Sequence, residues 1–360
     1  MTETGGRIVL LGATGSLGRL AAGALTESGA RPVLVGRDRT ALVRLAAELG
    51  TDVPIVVADA TNPVAMRALV RPGDVLATTV GPFLQKGTPA LEAAIEAGAI
   101  YLDSTGEAPF VRDVFEVYGP RAERRGATLI PAMAYCSVAG TLAAAIALDE
   151  VGDAASRVDV GYFVGGGSLW PRASAGTLES IAPIFGMPGF TYRKGVVQEC
   201  RPQVRDFTVG DRIRPAVTMA AGEHFTLPRL NGELQAIDVY VGMLGAATRL
   251  TARIPSPLLT RVGRPTLRLM ARFARRRPYR ATLTARVVAI VYDATGLPLA
   301  EVHLSGTDPY EFSARMLAWG ARQALDGNTS GTGAIGPVEA FGLGGLLAGC
   351  AESGIARVSG

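Results

Sequence analysis

The 360-residue sequence predicts an α/β protein, a doubly wound parallel sheet with an inserted α+β domain that carries a mostly antiparallel sheet. Three observations predict it. Short apolar runs alternate with helical stretches of about ten residues through the first part of the chain. After about residue 150 the strands become longer and alternate apolar with polar positions. Helical patterns then return near the end. At about 150 residues per domain, this length suits two domains. The expected division is 1–145 for the first, completed by C-terminal helices over 306–360, and 146–305 for the second.

The elements follow in order. Arg7–Leu11 (RIVLL) is a continuous apolar run, as expected of a parallel strand covered on both faces. A glycine-rich turn, Gly12–Gly18, leads into a helix over Arg19–Ser28 that Gly29 stops. Pro32–Gly36, Val53–Ala58, Asp74–Val80, Ile100–Asp103 and Thr128–Pro131 supply further strands. Helices are expected at Thr40–Leu49, Val64–Leu69, Thr88–Ala97 and Val138–Leu148. In the second domain the strands are Val158–Val164, Val196–Gln198, Ile237–Val241, Ala281–Asp293 and Leu299–Leu304. The last two form a long hairpin about Ala294-Thr295-Gly296. Helices at Gly176–Phe185 and Ser256–Arg277 interrupt these strands, and Glu311–Leu325 and Pro337–Glu352 close the chain.

Composition removes several function classes. The chain is 48% apolar and 19% charged, which excludes disorder. Cys136, Cys200 and Cys350 are far apart, no CxxC is present, and the histidines are His224 and His303 alone. A disulfide scaffold and a zinc site are therefore not expected. A net charge of +4 does not point to nucleic acid. No apolar stretch reaches the roughly 18 residues that a membrane span needs, and MTETGGR lacks a signal pattern, so a cytoplasmic location is expected. Arginines outnumber lysines 34 to 2, leaving Lys86 and Lys194 as the candidates for lysine chemistry.

The turn after the first strand reads Gly12-x-x-Gly15-x-x-Gly18 and opens a helix. Such a turn brings bare backbone close to a pyrophosphate and aims helix N–H groups at its charge, the signature of a Rossmann-type dinucleotide site. After the second strand, where an NAD site places a lone acid, stands Arg37-Asp38-Arg39. Two guanidiniums there suit a 2′-phosphate and favour NADP, although Asp38 could point inward. Asp59 is placed to accept from an adenine amino group or to cap the next turn. Val80-Gly81-Pro82-Phe83 ends the fourth strand, where it would wall the nicotinamide from water. Asp103-Ser104-Thr105-Gly106-Glu107 ends the fifth on the same edge.

GATGSLG, VGRDRTAL, TTVGPFLQKG and AGAIYLDSTGE together resemble the saccharopine dehydrogenase-like oxidoreductases, a group that includes trans-acting enoyl reductases. The resemblance covers most of 7–145 and returns at DPYEFSAR and GAIGPVEAFG. It implies NADP(H) held by Gly12, Thr14, Gly15, Ser16, Leu17, Gly18 and Arg37, with Gly81–Phe83 beside the nicotinamide; Ser104 and Gly106, in the polar run after the fifth strand, are further candidate cofactor contacts. It also implies an α+β insert that bears the substrate. One departure matters: where the enoyl reductase-like members carry a Gly-Phe-Asp-Ser-type segment, this chain has Ala134-Tyr135-Cys136-Ser137, with Cys136 replacing the acid.

No tyrosine is followed four residues later by lysine, so the Tyr-Lys pair of short-chain dehydrogenases is absent. The candidate proton donors are Tyr135, Cys136 and Ser137. Glu107, Trp170 and His224 are the candidate substrate contacts. The expected function is NADPH-dependent hydride transfer to a C=C or C=N bond of a specialised, hydrophobic or carrier-bound metabolite. The alternatives are a carbonyl reductase using Tyr135, or a non-catalytic NADP-binding regulator. A homodimer is expected by fold analogy. Arg261, Arg264, Arg268, Arg272, Arg275, Arg276, Arg277 and Arg280, interleaved with Leu267, Leu269, Met270 and Phe273, form a basic amphipathic helix. It is expected to pack on its own domain with a solvated arginine face, the alternatives being an anionic membrane or an acidic carrier.

Overall fold

The computed structural model describes residues 5–165, 178, 188–242, 248–251, 256–274 and 283–358, and divides the chain into two compact units. Unit 1 comprises Met1–Thr105, Pro109–Ala134 and Tyr310–Phe341. Unit 2 comprises Gly106–Ala108, Tyr135–Pro309 and Gly342–Gly360.

In unit 1 the apolar runs become the central strands of a seven-stranded parallel sheet. β1 (Ile8–Leu11) is buried at every position and pairs with β2 (Val33–Gly36) on one side and β4 (Val75–Thr78) on the other. β3 (Ile55–Val57) lies beyond β2, while β5 (Ile100–Asp103) and β6 (Thr128–Ile130) continue from β4. The seventh strand, Gly333–Ala334, joins β6 in parallel from the far end of the sequence. Strand order reverses between β1 and β4, and the carboxyl ends flanking such a switch point form the crevice where doubly wound sheets bind ligands. Helices α1 (Ser16–Glu27) and α2 (Arg39–Leu49) follow β1 and β2. The core on one side of the sheet gathers Val9, Leu11, Leu76, Leu91, Tyr101 and Leu129.

Unit 2 carries a nine-stranded mixed sheet. Its strands are β7 (Arg157–Gly165), β8 (Gly189–Arg193), β9 (Val196–Cys200), β10 (Val204–Val209), β11 (Arg212–Thr218), β12 (Ala236–Val241), β13 (Thr284–Tyr292), β14 (Pro298–Gly306) and the tail strand Ile355–Val358. The path runs β10-β11-β12-β7-β13-β14 and ends on the tail strand, with β8 on β12 and β9 on β8. Among the described strands of this sheet, only the β7–β12 pairing is parallel. The β13–β14 hairpin forms as expected, its turn tied by the Asp293 carboxylate, which accepts from the backbone N–H of Thr295 at 2.8 Å and Leu297 at 2.9 Å.

The units depart from the expected boundaries at both ends. The long segment of unit 2 begins at Tyr135, ahead of residue 146, and Gly106–Ala108 also belong to this unit. The closing segment does not all return to unit 1, because Gly342 (φ 71, ψ 158) breaks the helix Pro337–Glu352. From Gly342 onward the chain belongs to unit 2, and Ile355–Val358 extends its sheet antiparallel to β14. The expected helix at Gly176–Phe185 lies outside the described residues except for Leu178, as do residues 275–277 at the end of the basic helix.

Candidate functional site

The glycine turn is built for close backbone approach. Gly12 has φ +87, and a Cβ there would lie 2.7 Å from both Thr79 Oγ1 and Val80 Cγ2. A Cβ on Gly18 would strike the Gly12 carbonyl, so helix and turn meet only with hydrogen at both positions. The turn closes through Gly15 N–H, which donates to Gly12 O at 2.9 Å. Gly15 caps α1 without a side-chain hydrogen bond, and the first turn carries no acidic residue. The leading N–H groups of Ser16, Leu17 and Gly18 therefore have no intrahelical acceptor, and the helix dipole adds positive potential there. Gly15 and Ser16 are exposed, while Thr14 and Leu17 are half-buried. This cradle fits an anionic pyrophosphate.

At the end of β2, Arg37 is exposed. Asp38 does not reach inward. Its Oδ1 accepts the Ala41 N–H at 3.1 Å and caps α2, which engages this carboxylate at the helix N-terminus. Asp59 is exposed and accepts from Thr61 N–H at 2.9 Å and Thr61 Oγ1 at 2.8 Å. Those two bonds hold its carboxyl below the ordinary range, with the charges of Arg37 and Lys86 adding to the effect. Arg37, Asp59 and Lys86 thus share one electrostatic neighbourhood. These residues fit a 2′-phosphorylated nucleotide better than a plain ribose.

After β4 the chain passes through Val80, Gly81 and Pro82, joined by a cis Gly81-Pro82 peptide, into Phe83. Lys86 Nζ donates to Gly81 O at 3.4 Å and braces this turn. Pro82 and Phe83 are buried, and Phe83 packs on Phe110 with ring centroids 5.7 Å apart. At the end of β5, the fully buried Asp103 ties two strand ends together. Its Oδ1 accepts from Thr105 N–H and from Ala132 N–H, each at 2.9 Å, and its backbone carbonyl accepts from Met133 N–H at 2.7 Å. Ala132 is held at φ 59, a left-handed conformation that costs about 1 kcal/mol for a residue with a Cβ. Sequence reasoning placed Asp103 only within a polar run. The organising role was not legible, because burial decides it. Ser104 is half-buried, Gly106 is exposed, and Glu107 is fully buried with Gly106 and Ala108 in unit 2.

The remaining candidates lie in unit 2. Backbone angles at Cys136 (φ −79, ψ 67) and Ser137 (φ 173, ψ −57) are not helical, so Tyr135–Ser137 forms a bend ahead of the long helix. Tyr135 is buried, and its hydroxyl lies 2.8 Å from the carbonyls of both Phe163 and Arg286, accepting as well from Arg286 N–H at 3.2 Å. Burial raises its pKa well above the ordinary tyrosine value. Ser137 is buried, and burial pushes the Cys136 thiol up to about 12. His224 lies in the helix Glu223–Leu230, and it is fully buried. Its Nδ1 pairs with Ala221 O at 3.0 Å, and burial lowers its pKa to about 4. Trp170 lies outside the described residues.

Beside these stands a residue the sequence did not single out. Glu223 is fully buried and hydrogen-bonds the Tyr162 hydroxyl, which also accepts Gly140 N–H at 3.0 Å. Burial raises the Glu223 carboxyl to about 7, and its Oε2 has no partner. Three sheet arginines of this unit are paired with buried carboxylates. Arg157 and Arg205 pair with the buried Asp159, and Arg193 pairs with Asp238 at 2.7 Å.

Fold and turn geometry define a protein built on a Rossmann-type dinucleotide-binding unit with an α+β partner unit. Residues 8–130 match the family described as the saccharopine dehydrogenase NADP binding domain. A trans-acting enoyl reductase of Mycobacterium tuberculosis is 39% identical over 140 residues, covering 38% of this chain and 34% of the relative. One from Mycobacterium leprae is 40% identical over the same length, with the same coverage. The matched stretch spans about a third of these curated relatives (34%). Among solved structures, apo saccharopine dehydrogenase (L-Glu forming) from Saccharomyces cerevisiae aligns over 99% of this chain and 100% of its own. Its TM-score is 0.62 at 12% identity, a likeness of fold.

Proposed function

We propose that this protein is an NADPH-dependent reductase that delivers hydride to a C=C or C=N bond of a hydrophobic or carrier-bound metabolite. The observation that carries the cofactor part is the pairing of an α1 N-terminus that has no side-chain cap and no acid in its first turn with an exposed Arg37, whose neighbour Asp38 caps α2. When bound, NADPH supplies the hydride. The chain supplies placement. Ser16, Leu17 and Gly18 hold the pyrophosphate through their N–H groups, and Arg37 takes the 2′-phosphate. The turn Val80–Phe83, with Ser104 at the next strand end, excludes water from the reacting carbon.

The enoyl reductase names of the relatives support a C=C acceptor. Tyr135 supports no carbonyl chemistry in this reading, since its only hydroxyl is engaged with strand backbone. Titrating the protein with NADPH and NADH, and following nucleotide fluorescence, tests the cofactor assignment. Preferential NADPH binding is expected, and no binding of either would overturn the reductase reading. With NADPH bound, oxidation on adding α,β-unsaturated thioesters but not ketones is the expected substrate pattern.

A further inference from the structure

The positive charge of this protein is concentrated in one segment. Between Asp238 and Asp293 the sequence has eleven arginines and no Asp or Glu, so the rest of the chain is net acidic although the whole carries +4. The helix Ser256–Ala274 lies inside that segment. One face is used internally, with Leu267 5% and Ala271 2% exposed, four residues apart. The other face carries two stripes. Arg261, Arg268 and Arg272 form an exposed basic stripe at seven- and four-residue spacing. Beside it Pro265, Leu269 and Phe273 form an exposed apolar stripe at four-residue spacing, with Leu269 53% and Phe273 63% exposed.

A helix that only covered its own unit would not need that second apolar stripe. Solvation accounts for the arginines but leaves a leucine and a phenylalanine side by side in water. Large apolar side chains flanked by arginines, on a helix that packs through its opposite face, suit an interface that is anionic at its surface and hydrocarbon just beneath. Among the described residues no helix is long and apolar enough to cross a membrane, so such contact would be peripheral.

We propose that the outward face of Ser256–Ala274, through Arg261, Arg268, Arg272, Leu269 and Phe273, is a docking surface for an anionic lipid bilayer. It stands independently of the reductase reading. An acidic protein would satisfy the arginine stripe, but it gives no reason for Leu269 and Phe273 to stand exposed in the same row.

Co-sedimentation of the full chain with phosphatidylcholine vesicles, with and without phosphatidylglycerol, tests it. Binding to the anionic vesicles alone is expected. At about five-fold per arginine, Arg268→Gln with Arg272→Gln should weaken it about thirty-fold, as should added salt in part. Leu269→Ser with Phe273→Ser should weaken it about a hundred-fold by removing the inserted apolar area. All four side chains are exposed, so melting temperature should stay constant. A Phe273→Trp variant gives a readout independent of lost binding: its additional emission should shift to the blue on anionic vesicles. Failure to bind anionic vesicles, or an unshifted Trp emission, overturns the proposal. So does binding that polyglutamate abolishes and that Leu269→Ser with Phe273→Ser leaves unchanged, which would mark an acidic-protein surface.

Discussion

Glu223 and His224 are sequence neighbours, both fully buried, and burial moves them in opposite senses. The Glu223 carboxyl rises from 4.5 to about 7, and the His224 imidazole falls from 6.5 to about 4. For Glu223 the folded state holds its proton more tightly than the unfolded state. Its contribution is therefore complete below 4.5 and is lost as pH rises through 7. For His224 the unfolded state binds the proton more tightly, so stability is complete above 6.5 and is lost as pH falls towards 4. Between about 4.5 and 6.5 the two proton counts cancel, and the pair is silent in the wild-type melt. Single variants should expose it. Glu223→Gln should gain melting temperature relative to wild type as pH rises from 4.5 to 7, on the order of 3 kcal/mol in full. His224→Gln should gain relative to wild type as pH falls from 6.5 to 4. Thermal melts across pH check both, and pH-independent differences would remove this account. Arg37 makes a second prediction at this scale. A charge-assisted contact to phosphate is worth about 1.5–3 kcal/mol, so Arg37→Ala should weaken NADPH binding about 10- to 100-fold and leave NADH binding unchanged in fluorescence titration.

The helix beginning at Tyr135 is fastened to its sheet by two tyrosine hydroxyls. Tyr135 spans neighbouring strands β7 and β13 at the Phe163–Arg286 pair, and Tyr162 on β7 accepts the Gly140 N–H of the helix. The two rings meet edge to face at 5.2 Å. A Cβ at Gly140 would collide with the Tyr162 hydroxyl and the Glu223 carboxylate, which explains glycine within a helix. Tyr135→Phe should therefore lower stability by about 1–3 kcal/mol, by leaving buried backbone groups unpaired, while NADPH oxidation continues near the wild-type rate. A collapse of rate at unchanged melting temperature would instead make Tyr135 the proton donor. The difference in what could be read from sequence lies at this level too. β1 and β2 are apolar runs, and β4 and β5 are apolar up to Thr78 and Asp103 at their ends, because both faces are covered, so pattern alone located them. β10 is an edge strand, and its neighbour β11 carries the exposed Arg212 and Ile213 and the half-buried Arg214 and Pro215, which dilutes the alternation below recognition. The helix Glu223–Leu230 inverts the usual signal: it buries Glu and His and contains Pro228, so only its tertiary partners reveal it.

At the scale of the molecule the chain leaves and re-enters each unit, and no local pattern announces that. The glycine turn, Arg37 and the parallel sheet were visible in sequence because backbone chemistry at each position demands them. The crossing at Gly342 was not, because an apolar helix pattern continues through it and only a positive φ interrupts it. The consequence for unit 1 is testable. Its sheet is completed by Gly333–Ala334 on β6, and the helix Pro309–Leu325 approaches so closely that a Cβ on Gly320 would lie 2.8 Å from Met133 Cε and 3.0 Å from Leu102 Cδ2. Trp319 and Phe341 then meet edge to face, with ring centroids 4.8 Å apart, within the same returning segment. A fragment of residues 1–134 lacks all of this and exposes Leu102 and Met133, which are fully buried in the whole chain. It should melt without cooperativity and bind NADPH weakly, since each ~1.4 kcal/mol lost from its folding equilibrium below the midpoint reduces apparent affinity about tenfold. Joining residues 310–341 to it through a flexible linker should restore both a cooperative melt and NADPH binding. Calorimetry and nucleotide titration of the two fragments decide the matter: if 1–134 alone melts cooperatively and binds as the full chain does, the returning segment is a passenger and unit 1 is complete without it.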